Sequence, residues 1–140
     1  MLRHDHNLRR DRKQYFAEIP PTGDLFLDPD TGIKTGGRDQ IEKYLQATEL
    51  FELMEGDEGQ LVVVYQHVRA GTVRQRVRNV WDFLDQQKRP FSCTSYESGT
   101  VALLFFSQNC DRAKAVRECF GQLLGTHSHG RIWYQRLPGG

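Results

Sequence analysis

Two short apolar runs, Leu25-Phe26-Leu27 and Leu61-Val62-Val63-Val64-Tyr65, constrain this chain most strongly. Both are continuous rather than alternating, the pattern of strands covered on both faces, and such strands belong to sheets whose parallel centre is wrapped by helices. The first run stops abruptly at Asp28-Pro29-Asp30-Thr31-Gly32, two acids divided by a proline and followed by a Thr-Gly turn. A buried strand thus delivers carboxylates to its carboxyl end, the edge of open α/β sheets where ligands gather.

Beyond that turn, Gly32, Gly36 and Gly37 mark a loop able to approach a ligand closely. Asp39 and Glu42 have the spacing of a helix cap and its reciprocal partner, with Ile41, Tyr44, Leu45, Thr48 and Phe51 at helical intervals behind them. This predicts a helix over about 39–54. Thr72 and Gln75 repeat the capping pattern ahead of Val73, Val77, Val80, Trp81 and Leu84. Pro90 breaks the chain before a strand at Phe91–Glu97, and Ser98-Gly99 signals a hairpin into Thr100–Ser107. Asn109 or Asp111 caps a last helix with Val116, Phe120, Leu123 and Leu124 inward, and Arg131–Leu137 reads as an edge strand.

The resulting order, β-α-β-α-β-β-α-β, predicts a three-layer, Rossmann-like α/β sheet with a parallel centre and a late antiparallel hairpin. Residues 61–137 taken alone read β-α-β-β-α-β, so a ferredoxin-like α+β arrangement is the alternative. The two diverge on whether the strand at 24–28 lies beside that at 61–66. Residues 1–13, polar and rich in Arg and His, are expected to be a mobile basic arm, and 14–140 a single α/β domain.

With 19 Lys and Arg against 18 Asp and Glu, the net charge of +1 provides no global attraction to nucleic acid. A local basic face is still expected at Arg69, Arg74 and Arg78, where phosphates could be tracked, although Arg74 and Arg78 also suit a solvated helix face. Cys93, Cys110 and Cys119 show no CxxC pairing, which implies reduced thiols, with Cys93 in the core. No apolar run approaches the roughly 20 residues of a membrane span, and the basic start lacks a secretory core, so a cytoplasmic protein is expected.

A right-handed crossover between the two apolar strands would bring Asp28, Asp30, Tyr65, Gln66 and His67 to one edge. Two carboxylates and an imidazole there suit a metal-dependent hydrolase or nuclease using Asp28, Asp30 and His67. Alternatively, Asp28 and Gln66 could orient the exocyclic amino group of a base. The acids could also serve only as hydrogen-bond acceptors in the turn. The pairs His4/His6 and His127/His129 lack the spacing of a structural zinc motif and read as solvated residues. No Ser-His-Asp or Cys-His nucleophile arrangement is present, and a non-catalytic interaction module is a further possibility.

Asp24-Leu25-Phe26-Leu27-Asp28-Pro29-Asp30-Thr31-Gly32-Ile33 followed by Val62-Val63-Val64-Tyr65-Gln66-His67 resembles a family of uncharacterised bacterial and phage proteins with DPD(N/T)G and YQH motifs, over about 14–137. More distantly, Asp28-Pro29 at a strand end is similar to the Asp-Pro-Pro-aromatic motif of Rossmann-like adenine-N6 methyltransferases. That resemblance implies that Asp28 accepts the target amino group, with Asp30, Gln66 and His67 at the same site. Asp30 stands in place of the second proline, and Thr31 in place of the aromatic residue. In that class S-adenosylmethionine lies on a glycine-rich turn ahead of the Asp-Pro motif, and no GxG turn after an apolar run precedes Asp28 here. The resemblance therefore implies a methyltransferase-related protein without the cofactor-binding half, incomplete as an enzyme and acting on nucleic acid.

Overall fold

A computed structural model of the chain describes residues 12–19, 23–55, 60–124 and 131–135. In chain order the elements are α1 (Arg12–Glu18), β1 (Leu25–Leu27), β2 (Gly32–Ile33), a 3-10 turn (Ile41–Lys43), β3 (Tyr44–Leu45) and α2 (Ala47–Glu55). They continue with β4 (Val62–His67), α3 (Val73–Asp85), β5 (Ser92–Glu97), β6 (Val101–Ser107), α4 (Cys110–Leu124) and β7 (Arg131–Gln135).

The two apolar runs lie side by side and parallel, Leu25 opposite Val62 and Leu27 opposite Val64. The main sheet has the order β1-β4-β6-β5-β7. β6 runs antiparallel to both β4 and β5, and β7 closes the far edge antiparallel to β5. The chain is a mixed α/β protein. Because β1 takes the place beside β4 and β7 sits beside β5, the ferredoxin-like arrangement of 61–137 is not realised.

Register assigns the side chains to faces. Val62, Val64 and Gln66 share one face with Leu104, Phe106 and Cys93, and α2 and α3 cover it with Leu50, Phe51, Met54, Val77, Val80 and Leu84. Phe91 lies between Phe51 and Phe106, 6.0 and 6.1 Å from them by ring centroid. The opposite face is covered only in part. α4 packs there through Thr94, whose hydroxyl donates to the Ala113 carbonyl at 2.8 Å, and through Phe120 against Phe105 and Tyr96. Over β1 and β4 no described helix lies on this face, and Phe26 is 62 % exposed. β4 consequently alternates buried and half-buried side chains, although its sequence reads as buried on both sides.

The expected helix over 39–54 starts later. Residues 41–45 form the 3-10 turn and then β3, which pairs in parallel with β2, Gly32 opposite Tyr44 and Ile33 opposite Leu45. The working cap lies at Gln46, whose N–H donates to the Glu49 carboxylate at 2.8 Å. Arg12 ties α1 to this corner, donating to Glu49 and to the carbonyls of Ile41 and Tyr44. It lies inside the stretch expected to be an arm, of which residues 1–11 fall outside the described residues.

Other boundaries follow the sequence signals closely. Thr72 caps α3, accepting from the Gln75 N–H at 3.1 Å. Asn109 caps α4 through the Asp111 N–H at 2.9 Å. On α4, Ala113 is buried and Val116 and Phe120 are half-buried, whereas Leu123 is 75 % exposed rather than inward, and the Leu124 side chain lies outside those described. Burial pushes the Cys93 thiol above its ordinary range, in keeping with a core position. Among the described residues no helix is long and apolar enough to cross a membrane.

Candidate functional site

Parallel pairing of β1 and β4 carries Asp28 and His67 to the same edge of the sheet, because both follow the carboxyl ends of neighbouring strands. The imidazole Nε2 of His67 lies 3.5 Å from Asp28 Oδ1, with the side chains 36 % and 62 % exposed respectively. Tyr65, two residues before His67 and on the same face, places its ring 4.6 Å from the imidazole by centroid, tilted by 59°. An acid, an imidazole and a phenol thus meet at one half-open corner of the face that α4 leaves uncovered.

Gln66 points the other way and is wholly buried. Its Oε1 accepts from the Ile33 N–H at 2.8 Å, and its Nε2 donates to the carbonyls of Thr31 and His67, each at 3.1 Å. All three bonds go to backbone, so Gln66 is a clamp that fixes the turn after Asp28, and its amide is not presented to a ligand. Gly32 makes the clamp possible. Its φ is +97°, and a Cβ there would lie 2.2 Å from the Gln66 amide. From α3, Arg76 secures the other side of the turn, donating to the Ile33 carbonyl at 2.7 Å and the Thr35 hydroxyl at 2.8 Å. Desolvation lowers the Arg76 pKa from its ordinary value.

The Asp28 carboxylate makes no backbone hydrogen bond among the described residues, so this turn is held by Gln66 and Arg76 rather than by its acid. Asp30 is exposed, and its main-chain carbonyl accepts from Arg69 at 3.4 Å. Of the three arginines expected to form a basic face, Arg69 alone reaches this edge. Arg74 and Arg78 lie on the flank of α3 away from Arg76, by the 100° step of the helix.

Asp28, Asp30 and His67 do not combine with one another as a three-ligand group: among the described residues no three His, Cys, Asp or Glu side chains are placed to hold a metal ion. The space over Gly32 is filled by Gln66. The turn after β1 therefore offers no open glycine cradle to a ligand, and no step through S-adenosylmethionine follows. His4, His6, His127 and His129 lie outside the described residues.

The sequence indicated Asp28 and His67 through the strand ends but missed Arg76 and the clamping role of Gln66. A glutamine one residue before the end of a strand, facing a glycine after the neighbouring strand, was the available signal. Compared with known proteins, the chain matches no family model, and no curated protein is detectably similar to it.

Proposed function

We propose that this chain is a methyltransferase-related protein with a Rossmann-like sheet that grips the exocyclic amino group of a nucleic-acid base at Asp28 and His67. The observation that carries the reading is the 3.5 Å pairing of a half-open carboxylate and imidazole at the carboxyl ends of two adjacent parallel strands. An ionised carboxylate is an acceptor only, and an amino group is the donor it matches. The rings of Tyr65 and His67 offer faces on which a base can stack, an interaction that tolerates any base, while Asp28 selects those bearing an amino group.

The sheet order supports the same reading. Parallel β1 and β4 are followed by antiparallel β6 and β5, similar to the end of the methyltransferase sheet with its antiparallel pair. Gln66 and Arg76 support the site by holding the turn that carries Asp28. Titration of isotope-labelled protein with single-stranded oligoadenylate and oligothymidylate tests the proposal. Oligoadenylate is expected to shift the His67 and Tyr65 ring resonances at concentrations where oligothymidylate leaves them in place. Unchanged rings with both strands would overturn it.

A further inference from the structure

The loop that follows the Asp28 turn carries features that the base-binding site does not use. Gly36 and Gly37 have φ of +149° and +71°, and a Cβ at either would meet nothing within 4 Å. Their conformation is one that glycine favours, and the backbone there is open to close approach. Among the described residues the N–H groups of Gly36, Gly37 and Arg38 have no protein acceptor, and the exposed Arg38 guanidinium has no partner.

The base of this loop is fixed. Arg76 holds Ile33 and Thr35. Lys34 donates to the Asp39 carbonyl and lies over the Tyr44 ring, 4.4 Å from its centroid. Arg69 stands at the same sheet edge, against the Asp30 carbonyl. Lys34 and Arg38 belong to this loop, Arg76 holds its base and Arg69 holds the Asp28 turn that leads into it, although the whole chain is nearly neutral. Cations combined with unpaired backbone donors suit an anion, and a repeating phosphate fits donors spread along an edge.

We infer that the loop Thr35-Gly36-Gly37-Arg38, together with Arg69, binds the phosphodiester backbone of a single-stranded nucleic acid whose base is read at Asp28 and His67. The inference rests on the base-binding reading and adds the contact that positions the strand. Phosphate contacts position while base contacts specify, so the two sets of residues should separate in experiment.

The test uses two labelled strands, one of abasic deoxyribose phosphate and one of oligoadenylate, titrated at several salt concentrations against wild type, Arg38→Ala, Arg69→Ala and Asp28→Ala. Each arginine change is expected to reduce the steepness of log affinity against log salt by about 0.7, the value for one phosphate on a single strand. The reduction should be the same for both strands, whereas Asp28→Ala should lower the affinity for oligoadenylate relative to the abasic strand. An unchanged slope in both arginine variants, with the Asp28 effect present, would overturn the loop assignment and leave the base reading standing. A reduced slope with the ratio of the two strands unchanged in Asp28→Ala would do the reverse. Failure of wild type to bind either strand would overturn both.

Discussion

Replacing Gln66 by Leu should be among the most damaging single changes to this chain, although the new side chain is close in volume and apolar. The native amide makes three backbone hydrogen bonds from a fully buried position. Leucine leaves the buried Ile33 N–H without an acceptor, which costs about 1–3 kcal/mol, and withdraws a donor from Thr31 and His67, about 0.5–1.5 kcal/mol each where water can partly replace it. A loss of about 2–6 kcal/mol is expected in urea unfolding followed by circular dichroism. Gly32 allows a sharper version. Gly32→Ala places a methyl 2.2 Å from the Gln66 amide, so it should be severely destabilising alone but less so in a Gln66→Ala background, where that space is empty. The strain of alanine at φ +97° persists in both. A Gln66→Leu change within about 0.5 kcal/mol of wild type, or strict additivity of the Gly32 and Gln66 changes, would refute the clamp.

Arg12→Ala removes contacts to Glu49 and to two main-chain carbonyls, and a loss of about 1–3 kcal/mol is expected in thermal unfolding; an effect below about 0.5 kcal/mol would detach α1 from the energetics of the fold. Burial, then the charge of Asp82, raises the Asp85 carboxyl above its ordinary 3.8. The folded chain therefore holds this proton more tightly than the unfolded chain, and the contribution of Asp85 to stability falls as pH rises from about 3.8 through the raised folded value. Asp85→Asn should remove that decline and raise stability at pH 7 by roughly 0.3–1 kcal/mol, the scale for an acid at a helix carboxyl end. Urea unfolding at pH 3 and pH 7 checks the sign, and a variant less stable at pH 7 would contradict it.

Much of the sheet was legible because its signals are local. The two apolar runs pair as their continuity suggested, Thr72 caps α3, and β5 and β6 form the expected hairpin, with the turn closed by the Ser98 N–H donating to the Val101 carbonyl. The helix expected over 39–54 failed because Asp39 and Glu42 imitate a capping box while their neighbours are drawn into pairing with Gly32 and Ile33. Tertiary pairing overrode spacing there. Burial of β4 on both faces failed for a related reason: α4 sits over β5 and β6, and a strand cannot encode where a later helix docks. At the site, chain topology was enough to bring Asp28 and His67 together. The direction of Gln66 depended on strand parity and on the close approach at Gly32, a pairing between residues 34 apart in sequence that spacing does not reveal.

The most direct test of the central claim is the affinity ratio of oligoadenylate to oligothymidylate for wild type and Asp28→Ala, which leaves no side-chain acceptor, measured at one fixed salt concentration. Asp28 makes no backbone hydrogen bond among the described residues, and its exposed pairing with His67 is worth about 0–1 kcal/mol, so the variant should keep its fold and near-normal stability. Wild type is expected to prefer adenine by about 1–3 kcal/mol, on the scale of a good base contact, and the variant, which has no acceptor, to lose most of that preference. An unchanged ratio in a folded variant would contradict the assignment of Asp28 to an amino group, and a loss of stability above about 1.5 kcal/mol would assign the acid to the fold instead.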